Sequence, residues 1–333
     1  MGPDATEKMP ETCKHLSLGK KGHLVADDNT FEIAGKKIEE SISHDSTEIE
    51  KTIIERANIK TVEKVAEASK DSDFLLGVGG GTCIDVAKYV AFKNNKPFVS
   101  VPTAASHDGI ASSRAAVGDG KNSTSIKAQP PVAIIADTSI IRDSPSYLTA
   151  SGCGDMIANY TAVLDCELAK KENGDKYSEY AAALSRMSAK LVAKNVNIIK
   201  KGTEESARKI VKALISSGVA MSIAGSSRPA SGAEHLFSHA LDRIAPEPTL
   251  HGVQCGVGAI MMMKLHGKKW KSKRDALKTV GCPTSAEEMG IEPKYIVKAL
   301  TMAHKIRPER YTVLRDGLSK KEAEELATET EVI

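Results

Sequence analysis

One local pattern constrains the fold of this chain more than any other. Residues 75–88 read LLGVGGGTCIDVAK, which predicts a buried strand, a tight glycine turn and a helix beginning near Thr82. Glycines let the backbone approach a phosphate closely, and a helix N-terminus offers unpaired N–H groups and a positive dipole end. The spacing is neither G-x-G-x-x-G nor that of a Walker P-loop. A plain turn is the alternative, but Asp85 and Lys88, one helical turn apart, favour a nucleotide site.

Strand and helix patterns alternate through the first half of the chain. Strands are predicted at 23–26, 73–78, 98–101 and 132–136, and helices at 5–16, 31–42 and 82–92. This alternation predicts a parallel, Rossmann-like sheet covered by helices. Because no apolar strand precedes the first helix, we expect an edge strand of the sheet to be missing.

The pattern changes near Asp143–Tyr147, where a proline marks a turn. Helical periodicity follows at 175–199, 204–220 and 293–304, without convincing strands. A chain of 333 residues also exceeds the roughly 250 residues at which single cores tend to divide. We therefore predict an α/β nucleotide-binding domain over 1–145 and an all-helical metal- and substrate-binding domain over 146–333, around one cleft.

Composition excludes several classes of protein. The chain is 41% hydrophobic, but it has no run of about 20 apolar residues, so we expect no membrane insertion. It carries 46 basic and 43 acidic residues, a formal charge of +3, whereas nucleic-acid binders usually show a clustered basic excess. Six scattered cysteines without a signal peptide indicate a reduced cytoplasmic protein. The sequence contains no Cys-x-x-Cys pair, which disfavours a zinc knuckle with thiolate ligands. Any metal should therefore have histidine and carboxylate ligands.

A polar loop follows the next predicted strand. Residues 101–113 read VPTAASHDGIASS, and loops at the carboxyl ends of parallel strands are where α/β proteins bind ligands. Thr103, Ser106 and Ser112 could donate to a cofactor, whereas Asp108 is an acceptor suited to a substrate hydroxyl. Such residues also cap helices routinely, but beside the glycine turn the loop is better interpreted as one wall of a site.

The helical half contains a candidate metal site. His235 and His239 lie four residues apart and would share a helix face, and His251 follows. Glu234 precedes His235 instead of following it, which disfavours a zincin protease. Asp155, in the small-residue segment SGCGDMIANY, adds a carboxylate.

Structural roles remain open for these residues: the histidines could be surface or core residues, and Asp155 could be a charge at a helix start. An aspartate and two histidines with an open position nevertheless suit catalytic Zn²⁺ or Fe²⁺. Such a metal is a Lewis acid that stabilises alkoxide character. Together with the nucleotide turn, it predicts metal-assisted hydride transfer.

These motifs resemble a known family. The segments GVGGGTCIDVAK, VPTAASHDGIASS, GSSRPASGAEHLFSHALD and HGVQCGVGAI, with that of Asp155, are similar to archaeal sn-glycerol-1-phosphate dehydrogenases. That family lies in the superfamily of iron-dependent alcohol dehydrogenases, glycerol dehydrogenase and dehydroquinate synthase. The resemblance implies a dehydroquinate synthase-like fold and a cytoplasmic homo-oligomer. It also implies NAD(P)H-dependent reduction of dihydroxyacetone phosphate to sn-glycerol 1-phosphate, for archaeal membrane lipids.

The resemblance also implies roles for individual residues. NAD(H) or NADP(H) would be held by the glycine turn and the polar loop, namely Gly79, Gly80, Gly81, Thr82, Cys83, Ile84, Asp85, Thr103, Ala104, Ala105, Ser106 and Ser112. One Zn²⁺ would be bound by Asp155, His235 and His251. Asp108, Asp155 and His239 would contact substrate as the catalytic residues, which leaves His239 beside the metal.

Two further hypotheses concern specificity. The segment VADDNT at 25–30 is interpreted as a strand, and Asp27 and Asp28 at its end would bind the adenine ribose and repel a 2′-phosphate. We therefore expect NADH to be used at least as well as NADPH. Arg228 is a candidate for the substrate phosphate, because guanidinium binds phosphate bidentately, although a surface salt bridge would explain it equally.

Three alternatives remain. Glycerol dehydrogenase would share the cofactor and the metal but need no phosphate site. A dehydroquinate synthase-like lyase would need several lysines and arginines in its pocket, and the loops near Asp108 and Asp155 lack them. A non-catalytic nucleotide-binding protein would have no use for Asp155, His235 and His251 together.

Overall fold

The computed structural model describes residues 1–43, 47–118 and 123–333. They form two compact units, Met1–Pro145 with Gly202–Val211, and Ser146–Lys201 with Lys212–Ile333. None of the described helices is long and apolar enough to cross a membrane.

The first unit is built on a parallel sheet of five strands. They are β1 Lys21–Ala26, β2 Glu48–Ile53, β3 Phe74–Gly79, β4 Phe98–Pro102 and β7 Ala133–Ile134, and a separate antiparallel hairpin pairs β5 Arg114–Gly118 with β6 Ser123–Lys127. The order across the sheet is β2-β1-β3-β4-β7. Every residue of β3 is buried, as expected for the central strand of a sheet covered on both faces.

Helices complete both units. Those of the first are α1 Met9–His15, α2 Asp28–Thr30, α3 Lys36–Ser43, α4 Ile59–Ala68, α5 Gly81–Lys93 and α6 Thr138–Asp143, with a π-helical turn at Phe31–Gly35. The others are α7 Ser146–Asn173, α8 Glu179–Lys194, α9 Val196–Ile199, α10 Glu204–Ala224, α11 Ala233–Ile244, α12 His251–Leu265, α13 Lys271–Thr279, α14 Pro293–Met302 and α15 Lys320–Glu329. Residues 204–211 of α10 belong to the first unit and the rest of that helix to the second. Side-chain caps define several starts; Asn58, for example, accepts from the Thr61 N–H at 2.9 Å before α4.

The predicted fold class is confirmed: the sheet is parallel, and the described residues after β7 contain no strand. The strand, turn and helix over β3 and α5 were predicted to within a residue or two, because buried strand and glycine signals are local. β2 and the β5–β6 hairpin were missed. β2 reads EIEKTI and is largely exposed, so it lacks the apolar signal of a central strand.

The interpretation of 25–30 as a strand was wrong beyond Ala26. The backbone turns into α2 at Asp27, whose carboxylate accepts from the Thr30 N–H at 2.8 Å. The Thr30 hydroxyl oxygen in turn accepts from the Asp27 N–H at 3.2 Å, which completes a capping box. The capping geometry therefore ends the strand at this point.

The N-terminal residues pair with the segment after β7. Gly2 forms an isolated parallel bridge with Asp137, and its N–H donates to the Ala136 carbonyl at 3.2 Å. Asp137 is buried, caps α6, and accepts a hydrogen bond from the Thr6 hydroxyl at 3.0 Å. The first helical turn is thus fixed to the start of α6.

In the second unit, α7 lies against α12 at glycines. A Cβ added at Gly154 would collide with the Gly252 carbonyl oxygen, and one added at Gly256 would lie 3.0 Å from the Gly154 Cα. The two backbones therefore touch, which is possible only without side chains at these positions. This contact places Asp155 of α7 next to the first turns of α12.

Candidate metal centre and nucleotide-binding turn

The glycine turn joins β3 to α5 as the pattern predicted. Gly79 has φ +145°, a conformation that L side chains rarely adopt. Gly80 is the N-cap of α5 and offers no side-chain cap, and a Cβ built on it would meet nothing within 4 Å. The N-cap of a 13-residue helix therefore borders open space, and a helix N-terminus can bind a phosphate through its backbone N–H groups.

The polar loop lies against this turn. The Thr103 N–H donates to the Gly79 carbonyl at 3.1 Å, and a Cβ on Gly81 would collide with the His107 ring. Asp108 begins a 3-10 turn and its carbonyl accepts from the Ser112 N–H at 3.1 Å. The structure thus brings the two predicted walls of the nucleotide site together.

The remaining predicted cofactor residues differ in exposure. Thr82 is exposed, Ser106 is half-buried, and the side chains of Cys83, Ile84, Ala104, Ala105 and Ser112 are buried. Cys83 lies 3.5 Å from Asp27; burial, followed by the charge of Asp27, raises the pKa of its thiol to about 12. A contact of the buried residues with a dinucleotide would therefore run mainly through their backbone.

Asp85 and Lys88 form an internal ion pair. Their charged atoms are 2.8 Å apart, and the lysine side chain is fully buried. Lys88 also donates to the carbonyls of Gly109 and Arg114, each at 2.7 Å, while Asp85 accepts from the Ala116 N–H at 2.8 Å. The pair therefore ties α5 to the polar loop and the hairpin, a positioning role that the sequence did not indicate.

Four side chains of the second unit converge on one point. Asp155 of α7, His235 of α11, and His251 and Cys255 of α12 each present one ligand atom, and these atoms all lie within 4.8 Å of one another. His235 Nε2 is 3.6 Å from Asp155 Oδ1, and the rings of His235 and His251 are 5.0 Å apart. Carboxylate, imidazole and thiolate are the ligand types of divalent zinc, so the residues present fit a metal ion.

A buried carboxylate orients the first of these histidines. Glu234 is fully buried and lies 2.9 Å from His235 Nδ1; it also accepts from the Thr161 hydroxyl at 2.6 Å and from the Gly232 N–H at 2.5 Å. Burial raises the pKa of Glu234, but these hydrogen bonds outweigh it and the net pKa is lowered. The ionised carboxylate therefore accepts the Nδ1 proton. Burial lowers the pKa of His235, but Cys255 and Glu234 outweigh it and the net pKa is raised well above the usual value, so a metal would bind Nε2 in place of a proton.

A second polar chain orients His251. The Ser238 hydroxyl donates to Gln254 Oε1 at 2.9 Å, and its oxygen lies 3.1 Å from His251 Nδ1. Because the hydroxyl proton is used on Gln254, the oxygen accepts from His251 Nδ1–H. Gln254 itself is held by Asp242 at 3.0 Å. His251 therefore also presents Nε2 to the cluster.

His239 lies outside this group of four. Its ring is stacked on that of His251, with centroids 5.9 Å apart, and its Nδ1 is 3.9 Å from Asp242. Burial, with smaller effects of His235 and Arg307, lowers the pKa of His239, and Asp242 opposes the shift. The ring is therefore neutral near pH 7 and able to donate and accept one hydrogen bond each.

Arg228 makes internal contacts within the second unit. Its guanidinium is 3.2 Å from the Asp175 carboxylate and donates to the Tyr311 carbonyl at 2.8 Å. Arg310 lies nearby and donates to Ser231 and to Ser227 Oγ, the latter at 3.0 Å. Arg310 was missed from the sequence, because only the fold brings it next to the 227–231 turn.

Cys255 was also missed. The sequence predicted histidine and carboxylate ligands alone, and the Cys255 sulfur lies beside the His251 ring, 3.5 Å from Nε2 and 3.8 Å from Nδ1. The available signal was its position one helical turn after His251 in HGVQC. Burial raises the pKa of its thiol to about 11, an effect that His235 partly offsets.

Comparison with known proteins identifies the class to which this fold belongs. Residues 1–145 match the family model of iron-containing alcohol dehydrogenases. Among solved structures, a glycerol dehydrogenase from Schizosaccharomyces pombe superposes with a TM-score of 0.84 at 22% identity, covering 99% of this chain and 87% of that one. A probable glycerol dehydrogenase from Sinorhizobium meliloti 1021 gives 0.81 at 20% identity, covering 99% and 95%. The fold is that of the iron-containing alcohol dehydrogenase class.

Sequence similarity over the full length of the chain identifies a narrower family than the fold does. The glycerol-1-phosphate dehydrogenase (NAD(P)+) of Thermococcus sibiricus is 55% identical, covering 100% of this chain and 96% of that protein. The enzyme of the same name from Methanosarcina mazei is 53% identical, with 100% and 94% covered. The chain belongs to the glycerol-1-phosphate dehydrogenase family.

Proposed function

We propose that this protein reduces dihydroxyacetone phosphate to sn-glycerol 1-phosphate with NAD(P)H, reversibly, for membrane phospholipid synthesis. The observation that carries the proposal is the buried convergence of Asp155, His235 and His251, with both Nε2 atoms directed inward. The full-length similarity to enzymes of this name supports the choice of substrate.

The groups that the chain would bind have distinct tasks. Bound NAD(P)H supplies the hydride for the substrate carbonyl carbon, and bound Zn²⁺ supplies Lewis acidity toward the carbonyl oxygen. Asp155, His235 and His251 would hold the metal, and Gly79–Asp85 with Thr103–Ser106 and Ser112 would hold the nucleotide.

The reaction also moves a proton. We assign this role to His239, whose lowered pKa keeps the ring neutral near pH 7. A neutral ring can accept the hydroxyl proton in the oxidation direction and, by microscopic reversibility, return it in reduction. Asp108 and Asp155 would accept hydrogen bonds from substrate hydroxyls.

For the phosphate we propose the arginine cluster, defined as Arg228, Arg307 and Arg310. Arg310 donates to Ser231, four residues before His235, and Arg307 is close enough to His239 to lower its pKa. Burial, followed by the charges of Arg307 and Arg228, lowers the pKa of Arg310 to about 10. Mutual repulsion of this kind is relieved by an anion, and guanidinium suits phosphate.

The cluster is tested by substitution of Arg310. In Arg310→Gln we expect the KM for dihydroxyacetone phosphate to rise at least about tenfold, since a charged hydrogen bond contributes about 1.5–3 kcal/mol. The KM for unphosphorylated dihydroxyacetone should stay unchanged. Arg315→Gln, at an exposed arginine paired with Asp316, is the control. Equal effects on the KM of both substrates would contradict a role of Arg310 in phosphate binding. Arg228→Ala, measured with the same two substrates, tests the arginine that the sequence indicates.

Cofactor preference depends on Asp27. Its carboxylate accepts from the Thr30 N–H and lies near the Cys83 sulfur, and a negative charge there would repel a 2′-phosphate. We propose that NADH is used at least as well as NADPH. Asn also caps helices well, so Asp27→Asn removes the charge and keeps the cap; it should raise kcat/KM for NADPH relative to NADH. Asp71→Asn, at an exposed aspartate before β3, is the control.

The reaction itself is tested by a steady-state assay. Dihydroxyacetone phosphate and NADH or NADPH are supplied, and the product is resolved by chiral analysis with and without a chelator. We expect sn-glycerol 1-phosphate, loss of activity on chelation, and recovery with Zn²⁺. Equal use of dihydroxyacetone would instead indicate a glycerol dehydrogenase, and activity that survives complete metal removal would contradict the mechanism.

Compartment and assembly are further parts of the proposal. All six cysteines are free and buried, which suits the reducing cytoplasm. We expect a homo-oligomer, which light scattering of the purified chain would test.

A further inference from the structure

Asp165 is a buried carboxylate of α7 that joins four segments of the second unit. Its side chain is 1% exposed, and each oxygen accepts from a backbone N–H of a different segment. Oδ2 accepts from Ala233 at the start of α11, and Oδ1 accepts from Val313, both at 2.7 Å. Oδ1 also lies 3.0 Å from Nε2 of His266, at the end of α12. No sequence pattern indicated a role for this residue.

The contact with the start of α11 is close. A Cβ built on Gly232 would lie 2.5 Å from Asp165 Oδ2 and 2.9 Å from Glu234 Oε2, so both carboxylates contact the same glycine. Glu234 accepts from the Gly232 N–H, and Asp165 accepts from the next N–H, that of Ala233. N–H groups at a helix start have no partner within the helix. Glu234 thus connects this helix start to the metal cluster, and Asp165 connects it to Val313.

Val313 lies three residues after Arg310 of the arginine cluster. Arg310 itself donates to the Ser231 carbonyl at 2.6 Å and to the Ser231 hydroxyl at 2.9 Å, just before α11 begins. The chain around Arg310 is therefore tied to the start of α11 twice. The first tie is the Arg310 side chain, and the second is the Asp165 carboxylate, which bridges the N–H groups of Ala233 and Val313.

We propose that Asp165 is a positioning residue for phosphate binding: by holding Val313 against the start of α11, it sets the distance between the arginine cluster and the metal cluster. The inference deepens the proposed function and rests on it, because the phosphate is assigned to the arginine cluster. One small substrate must place its phosphate and its carbonyl group at the two clusters together. A misplacement of about 1 Å can cost about 100-fold in rate, so the separation of the clusters must be fixed.

The role needs both oxygens of Asp165, whichever atom carries a proton. Burial, with a smaller effect of Glu234, raises the pKa of Asp165, whereas His266 and the Ala233 N–H oppose the shift. A proton shared with His266 lies between Oδ1 and Nε2, and each oxygen keeps a lone pair for its backbone N–H. An asparagine has only one such oxygen.

Asp165→Asn tests the role with little change of shape. Its NH2 group must face the N–H of Ala233 or of Val313, so one tie is lost in either orientation of the amide. We expect the KM for dihydroxyacetone phosphate to rise at least about tenfold. The KM for dihydroxyacetone and the zinc affinity should not change, because Glu234 still orients His235. An unchanged KM for the phosphorylated substrate in the folded variant would overturn the proposal.

A control is needed for loss of stability alone. The Thr330 hydroxyl is buried at the end of α15 and donates to the Leu326 carbonyl at 2.7 Å. Thr330→Val should lower the unfolding temperature and leave both KM values as in the wild type. A rise in the KM for dihydroxyacetone phosphate in this variant, equal to that in Asp165→Asn, would show a general effect of destabilisation and overturn the proposal.

A double-variant cycle shows whether Asp165 acts through the arginine. If it does, adding Asp165→Asn to Arg310→Gln should change the KM for dihydroxyacetone phosphate by less than about twofold, because the group that Asp165 positions is already lost. Independent effects would multiply, and multiplication would overturn the proposal.

Amide hydrogen exchange gives a measurement on the unaltered protein, which needs neither a reaction nor a variant that folds. The N–H groups of Ala233 and Val313 should exchange at least about tenfold more slowly than in the unfolded chain, and exchange of either at the unfolded rate would overturn the proposal. If both are protected but dihydroxyacetone phosphate is not reduced, the proposed function fails and the bridge formed by Asp165 stands. If the substrate is reduced and Asp165→Asn leaves its KM unchanged, only this inference fails.

Discussion

The carboxylate of Glu234 turns back on its own neighbour, so that Oε1 lies 2.9 Å from Nδ1 of His235. Adjacent residues of a helix normally point about 100° apart around its axis. The contact forms at the start of α11, where Glu234 also accepts from the Gly232 N–H and the Thr161 hydroxyl. One buried carboxylate thus fixes the ring of His235 and the N-terminus of the helix that carries it.

Glu234→Gln should weaken metal binding without removing a ligand. The amide no longer draws the Nδ1 proton electrostatically, so the His235 ring loses its fixed tautomer, and zinc affinity should fall about 10–100-fold. Competition with a chromophoric chelator measures this. Glu247→Gln, at an exposed glutamate, should bind zinc normally. Unchanged affinity in Glu234→Gln would contradict the orienting role.

Gly80→Ala should separate nucleotide binding from folding. The added Cβ meets no protein atom within 4 Å, and φ is −82°, so the protein should unfold at the same temperature within the small propensity effect of an N-cap change. If a pyrophosphate lies against this turn, the methyl group occupies its place, and the Kd for NADH should rise at least about tenfold, since 1.4 kcal/mol is a factor of ten. Calorimetry checks both quantities, and an unchanged Kd would place the phosphates elsewhere.

Lys88→Met should destabilise the first unit strongly. It leaves the buried Asp85 carboxylate without its cation and two carbonyls, of Gly109 and Arg114, without their donor. Breaking a buried pair from one side costs about 3–5 kcal/mol. Urea unfolding measures the loss, and Lys93→Met at the exposed end of α5 is the control. A loss below about 1 kcal/mol would show that the pair is dispensable.

His23 should make stability depend on pH. It is buried in β1 and bonded to Thr52 at 2.8 Å; burial lowers its pKa in the folded protein, Lys96 adds to the shift and Glu50 opposes it. The folded protein therefore binds fewer protons than the unfolded chain once the pH falls below the ordinary imidazole pKa of about 6.5. The contribution of His23 is present above that pH and is lost as pH falls toward the lower, folded pKa, with a slope of at most about 1.4 kcal/mol per pH unit.

Measuring the free energy of unfolding at about pH 7.5 and at about pH 5, on either side of the imidazole pKa, checks the direction of this pH dependence. The wild type should lose more stability on acidification than His23→Gln, which keeps a polar partner for Thr52 but does not titrate. His15→Gln, at an exposed histidine of α1, should behave as wild type. Equal slopes in wild type and His23→Gln would contradict the effect of burial.

The strand, glycine turn and helix at β3 and α5 were predictable because their signals are contained in a few adjacent residues: an apolar run, three glycines and a helical period. The strandless second half was predictable for the same reason. Asp27 was placed at the end of a strand because an acidic residue there commonly binds the adenine ribose, although aspartate also caps helices. Only the capping box with Thr30 decides that the chain turns into a helix there.

The sequence by itself determined the residue types of the metal centre and the order in which they occur: Asp155 among small residues, then His235, His239 and His251. Which of them converge was decided by the crossing of α7 and α12 at glycines and the packing of α11 on α12. The same crossing brings in Cys255, and tertiary contacts alone join Lys88 to the polar loop and Arg310 to the 227–231 turn. Local patterns record what a residue can do chemically, whereas ligand geometry needs distances between segments far apart in the chain, and only packing sets those.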